Sequence, residues 1–116
     1  MQLVTARFYC AVCNQQAAVL TLFEDGRLIH SGLMAEVTEV VPPAMRMAAL
    51  YALEQAGPEA VYAVNKLWAA FYCPECDAVY CKEHWQIDLQ YDADDPSWYV
   101  RAYGVCPQGH RRLIDE

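Results

Sequence analysis

The chain is short of positive charge: 8 Lys and Arg stand against 15 Asp and Glu, a formal net charge of -7. Nucleic-acid binders hold phosphates largely through Lys and Arg, so a DNA- or RNA-binding role is disfavoured and a protein partner is expected. No stretch approaches the roughly 20 apolar residues that a membrane helix needs. Met1 to Arg7 carries no basic segment followed by an apolar run of the secretory type, and the expectation is a cytoplasmic chain without membrane contact. Internal repeats, low-complexity tracts and linkers are also lacking, so the 116 residues are expected to form one domain, 1–116. Charged residues make up only 20% against 56% hydrophobic, which excludes the composition of a disordered segment.

Residues 3–9 are β-branched and aromatic and run into Cys10 as a lead-in strand. Ala17 to Phe23, Glu24-Asp25-Gly26 and Arg27 to His30 read as a hairpin whose Asp-Gly supplies positive φ, with Val19, Leu22 and Leu28 as core residues and His30 exposed. Glu36 to Val41 is a third strand ended by Pro42-Pro43. Met45, Ala48, Ala49, Ala52 and Leu53 recur at helical spacing, which predicts a helix over 44–55. Its Ala/Met-rich face is a candidate oligomer surface, although such a stripe is more often core. After Gly57-Pro58 a second helix is expected over 59–70. The segment Asp88 to Asp95 reads as an acidic, irregular loop, with Asp95-Pro96 as a turn before Trp98, Tyr99 and Tyr103.

All six cysteines and two of the three histidines fall into four close pairs. These are Cys10-x2-Cys13, then 59 residues, Cys73-x2-Cys76, then four, Cys81-x2-His84, then 21, and Cys106-x3-His110. Structural zinc takes four N or S ligands in a tetrahedron, so two pairs make one site and the chain is expected to hold two structural Zn²⁺. With six thiolates the charge would change by +4 and -6, from -7 to -9. A disulfide framework belongs to secreted chains, a dithiol redox motif needs one pair rather than four, and iron-sulfur clusters favour all-thiolate ligation. Spacing alone permits sequential or interleaved sharing. The four-residue link between the second and third pairs favours interleaving, with Cys10, Cys13, Cys81 and His84 at one ion and Cys73, Cys76, Cys106 and His110 at the other. Each ion would then have four protein ligands and no open position for a reactive water, and no catalytic residue is assigned.

An interleaved eight-ligand scheme resembles the RING finger and its treble-clef relatives with a binuclear cross-brace, FYVE and the in-between-RING module. The resemblance covers residues 8–14 and 71–112. It implies a small α+β zinc-binding domain, a RING-like cross-brace with a β-hairpin and two helices inserted over 17–70. Val12, before the second cysteine, resembles the RING residue that contacts a ubiquitin-conjugating enzyme. Pro107 and Trp98 resemble further docking positions, and Arg111 the cation that grips the conjugated ubiquitin. The histidine positions and the 59-residue gap depart from RING, and the middle spacing is nearer the in-between-RING type. A FYVE-like lipid role would need cations where Glu75, Asp77 and Glu83 stand. The resemblance thus implies a ligase-like adaptor for a conjugating enzyme charged with ubiquitin or a ubiquitin-like protein. The alternative is a non-catalytic interaction module or scaffold subunit, in which Val12 packs on the hairpin, Pro107 only shapes a zinc turn, Trp85 and Trp98 fill the core, and Arg111 and Arg112 solubilise the C-terminus.

Overall fold

The computed structural model describes residues 1–31, 33, 35–97 and 99–115. The lead-in strand, hairpin and third strand together form an antiparallel meander, β1 (Gln2–Tyr9), β2 (Gln16–Phe23), β3 (Arg27–Ser31) and β4 (Val37–Val40), adjacent in that order. Successive side chains of a strand point to opposite faces. Ala6 therefore lies opposite Leu20, and Leu22 opposite Leu28, on the buried side. Val19, expected in the core, is only half-buried because it belongs to the other face of β2. The β2–β3 turn ends at Gly26 with φ 91°. Its carbonyl accepts from Val41 N at 2.8 Å, and a Cβ there would lie 2.5 Å from Arg46 Nε, so glycine answers both a left-handed conformation and a close approach.

His30 is a correction to the sequence reading. It shares the inward face of β3 with Leu28, and its side chain is 13% exposed. Its Nε2 lies 3.1 Å from Glu39 Oε2, while Glu39 Oε1 accepts from Trp68 Nε1 at 2.7 Å. The carboxylate thereby ties two strands to a helical segment across the sequence.

A 3-10 turn over Pro43–Met45 leads into α1 (Arg46–Tyr51), which widens to a π-type turn over Ala52–Ala56 and stops at Gly57, φ 85°. Ala49, Ala52 and Leu53 face the core, whereas Met47 and Tyr51 are exposed. α2 (Pro58–Val64) begins with the proline, whose missing N–H has no helical partner at that position. It ends earlier than expected: Asn65 turns extended, at φ -156° and ψ 113°. The Asn65 side chain accepts from Leu67 N at 3.0 Å, capping a separate 3-10 turn, Lys66–Ala69.

β5 (Tyr72–Cys73) and β6 (Ala78–Val79) form a two-residue pair. The first half of the expected irregular acidic loop, Asp88 to Tyr91, belongs to a strand, β7 (Gln86–Tyr91), which pairs with β8 (Tyr99–Val105), itself paired with β9 (Arg111–Asp115). Gln86, Asp88 and Gln90 alternate with Ile87, Leu89 and Tyr91, so the period is two and the acidic side chain simply lies on one face. Only the tip, with the turn at Asp95-Pro96, is non-strand; there Ser97 N donates to Asp95 Oδ1 at 3.2 Å. The described residues thus form a small α+β fold of three antiparallel sheets and two helices, and no helix among them is long and apolar enough to cross a membrane.

Phe71, 1% exposed, stacks on Phe8 of β1 with ring centroids 5.2 Å apart, joining the meander to the metal-bearing half. Truncation of a buried phenylalanine costs about 3–5 kcal/mol. Phe71→Ala is expected to lower urea-unfolding stability by that amount with the slope unchanged.

Arg112, a solubilising terminal cation in the scaffold alternative, is partly buried and held by backbone. Its Nη1 donates to the carbonyls of Ala69 and Tyr72, its Nη2 to Lys66 O, each at 2.8 Å, and its Nε to Leu113 O at 3.0 Å. The guanidinium also lies over the Tyr62 ring, 5.1 Å from its centroid. One side chain of β9 thereby ties two carbonyls of the 3-10 turn to that of Tyr72 in β5.

Candidate metal centre

The first two cysteine pairs sit on turns of the same construction. β1 runs straight into Cys10, whose N donates to Gln15 O at 2.8 Å while Asn14 N returns to Cys10 O at 2.9 Å. Asn14, next after the pair, has φ 61°, and Asp77, next after Cys76, has φ 50°. Asn and Asp tolerate this left-handed region better than other residues with a Cβ. Asp77 Oδ1 also accepts from the Tyr72 hydroxyl at 2.6 Å, and burial together with that bond pushes the phenol well above its usual range. The third pair lies on a 3-10 turn, with His84 N on Cys81 O at 2.9 Å. The fourth closes between β8 and β9, where Gly109, φ 89°, precedes His110 and Cys106 N donates to His110 O at 3.0 Å.

A further backbone bond, Ala11 N to Val79 O at 2.8 Å, seats the first turn against β6. Cys10, Cys13, Cys81 and His84 consequently gather in one cluster, and Cys73, Cys76, Cys106 and His110 in another, the donor atoms of each lying within 4.8 Å of one another. The first pair meets the third and the second meets the fourth, so the arrangement is interleaved.

The donor geometry suits zinc. A tetrahedron with Zn–S of about 2.3 Å and Zn–N of about 2.0–2.1 Å places sulfurs about 3.8 Å apart and S···N about 3.6 Å apart. In the first cluster His84 Nδ1 lies 3.5 Å from Cys10 Sγ and 3.3 Å from Cys81 Sγ, and Cys13 and Cys81 are 3.6 Å apart. In the second, His110 Nδ1 lies 3.5, 3.2 and 3.4 Å from Cys73, Cys76 and Cys106, with Cys76 and Cys106 3.8 Å apart. Every cysteine is unbridged, and sulfurs at those separations are far beyond the roughly 2.05 Å of a disulfide. Two Cys3His groups that can each hold a metal ion are therefore present, both using histidine Nδ1.

The clusters share an electrostatic plan. Burial raises the Cys10 thiol, but backbone N–H groups of Cys81, Cys13 and Val12 and the Cys13 side chain outweigh it and bring it down to about 6. Cys106 is brought down to about 7 against burial by the N–H groups of His110 and Gln108 and by the side chains of Cys76 and Cys73. Each has a partner pushed the other way: burial and neighbouring sulfurs raise Cys73 to about 11 and also raise Cys81. A hydrogen bond to Cys76, then burial, raises Tyr80 to about 12. Neither Tyr80 nor Glu75, whose Oε2 lies 3.2 Å from His110 Nε2, was identified from sequence as a supporting residue. The position of Glu75 inside the C-P-E-C turn was the only available signal.

The remaining site residues divide. Val12 caps the first turn, 57% exposed, with its N on Cys10 Sγ at 3.4 Å. Pro107 is exposed in the fourth turn. Arg111 is exposed but engaged: its Nη2 is 3.1 Å from Asp88 Oδ2, and its guanidinium lies 4.2 Å from the Tyr103 ring centroid. Trp98 falls outside the described residues. Trp85 is core, with its Nε1 on Tyr80 O at 2.8 Å and its ring against Gly104.

No curated protein and no solved structure matches the chain. Residues 2–116 match the family described as Domain of unknown function (DUF8328), and the chain belongs to that family.

Proposed function

We propose that the chain is a protein-interaction module of the RING-like cross-brace type, built on two structural zinc ions, and that its first partner class is a conjugating enzyme charged with ubiquitin or a ubiquitin-like protein. The observation that carries the reading is Val12, an aliphatic side chain 57% exposed at the tip of the first metal turn, where a RING docking residue would stand. Both clusters offer four protein donors, which leaves no open coordination position for hydrolytic chemistry. Such a chain contributes no nucleophile and acts by proximity and orientation, effects worth several kcal/mol of barrier, about 7–11 at best. Arg111 fits the ligase role less well, because gripping a modifier would require it to leave Asp88 and Tyr103.

The test is discharge of a modifier-charged conjugating enzyme to free lysine in the presence of the zinc-loaded chain. A cognate enzyme is expected to discharge at least tenfold faster, and Val12→Arg, on an exposed position, to abolish that gain while retaining zinc and fold. If no enzyme in a broad panel accelerates, the ligase form fails. The second reading, a scaffold subunit, then rests on the exposed Met47 and Tyr51 of α1 as a face for a protein partner or a second copy.

A further inference from the structure

We infer that the two metal positions are unequal: the cluster of Cys10, Cys13, Cys81 and His84 is the exchangeable one, and Glu75 positions His110 to hold the other ion. This rests on the binuclear zinc reading above. At the second cluster Glu75 Oε2 lies 3.2 Å from His110 Nε2, on a side chain 66% exposed, and a carboxylate at that distance favours the tautomer with the proton on Nε2, which leaves Nδ1 free for a metal. A carboxylate behind a ligating imidazole also fixes the ring plane. Among the described residues, His84 Nε2 has no such partner, and its Nδ1 contacts only cysteine sulfurs.

Exposure points the same way. All four donors of the second cluster are buried or half-buried, whereas Cys13 of the first is exposed. A cleft of about 250 Å³, lined by Gln15, Gln16, Ser31, Lys82 and Glu83, has Cys81 itself in its wall. An incoming donor therefore has an approach to the first ion at Cys13, with the cleft adjoining the cluster on the Cys81 side. Exchange is a ligand substitution in which a thiolate leaves the metal, takes a proton from solvent, and is replaced by a donor atom of the acceptor.

The experiment mixes the full chain, loaded with two equivalents of zinc, with excess 4-(2-pyridylazo)resorcinol and follows the coloured complex. Two phases of one equivalent each are expected. Alkylation with N-ethylmaleimide after the first phase, mapped by mass spectrometry, should label Cys10, Cys13 and Cys81 and spare Cys73, Cys76 and Cys106. Outer-shell partners are typically worth 10–100-fold in metal affinity. Glu75→Ala should thus speed the slow phase about tenfold without altering the fast one, and Glu75→Gln, which keeps a neutral acceptor, should fall between. A single phase of two equivalents, early labelling of Cys73, Cys76 or Cys106, or a slow phase indifferent to Glu75→Ala in a protein of native circular dichroism would overturn the inference alone. A folded chain that takes up fewer than two equivalents on reconstitution with excess zinc would sink the binuclear reading and the inference with it.

Discussion

Stripping both metals with a strong chelator at pH 7 is expected to abolish the cooperative thermal transition, not merely to lower its midpoint. A structural zinc contributes about 10–16 kcal/mol to folding in small zinc domains at that pH, and whole domains are stable by only about 5–15 kcal/mol. The clusters also lie within the packing: Cys10, Cys73, Cys81 and Cys106 are all buried among the core residues. They join the end of β1 to the turn before β7, and the β5–β6 turn to the β8–β9 turn. Without them the three-stranded C-terminal sheet loses its attachment at both places, and the near-ultraviolet signal of Trp85 should disappear. A chelated chain that keeps a single sharp transition and that signal would show that packing alone holds the fold.

The adjacent arginines are expected to differ sharply. Arg112→Ala should destabilise the zinc-loaded protein by about 3–4 kcal/mol, since hydrogen bonds involving a charged group are worth about 1.5–3 kcal/mol and orphaned buried acceptors add their own cost. Arg111→Ala should cost less than about 1 kcal/mol, as exposed ion pairs do, because both it and Asp88 are about half exposed. Arg112→Lys should recover only part of the loss, for one ammonium cannot span carbonyls on Lys66, Ala69 and Tyr72 as a planar fork does. Urea unfolding of the three variants with zinc present decides the matter; equal effects at 111 and 112 would refute the assigned role of Arg112.

The contacts of neither arginine are legible in the sequence. Nothing local distinguishes them: the acceptors of the Arg112 Nη atoms lie 40 to 46 residues away, and two of them, Lys66 and Ala69, belong to a 3-10 turn that follows from the Asn65 break. The meander was legible because alternation and Asp25-Gly26 are local signals, and the eight metal-type residues because their pair spacing is. β7 was missed through composition: Asp88, Asp92, Asp94 and Asp95 suggested solvent, and taking the segment from Asp88 removed Gln86 and Ile87 from an alternation that was present. His30 had a readable signal as well, since it stands two residues after Leu28 and shares its face.

The interleaving has a consequence for the order of assembly. Closing the second cluster joins residues 37 apart, Cys73 to His110, whereas the first joins residues 74 apart, Cys10 to His84. Loop-closure entropy costs about 0.6 kcal/mol more for each doubling of length, a mild bias towards the shorter ring. During vectorial synthesis the hairpins of β1–β4 need only near neighbours, so they can form while Cys10 and Cys13 are still without partners. Cys81 stands 68 residues after Cys13, and at about 5–20 residues per second the earliest thiols of the chain wait several seconds for their mates. Through that interval the nascent N-terminal sheet carries half of a metal clasp, and synthesis of Cys81 and His84, not folding of the meander, sets the earliest moment at which it can close.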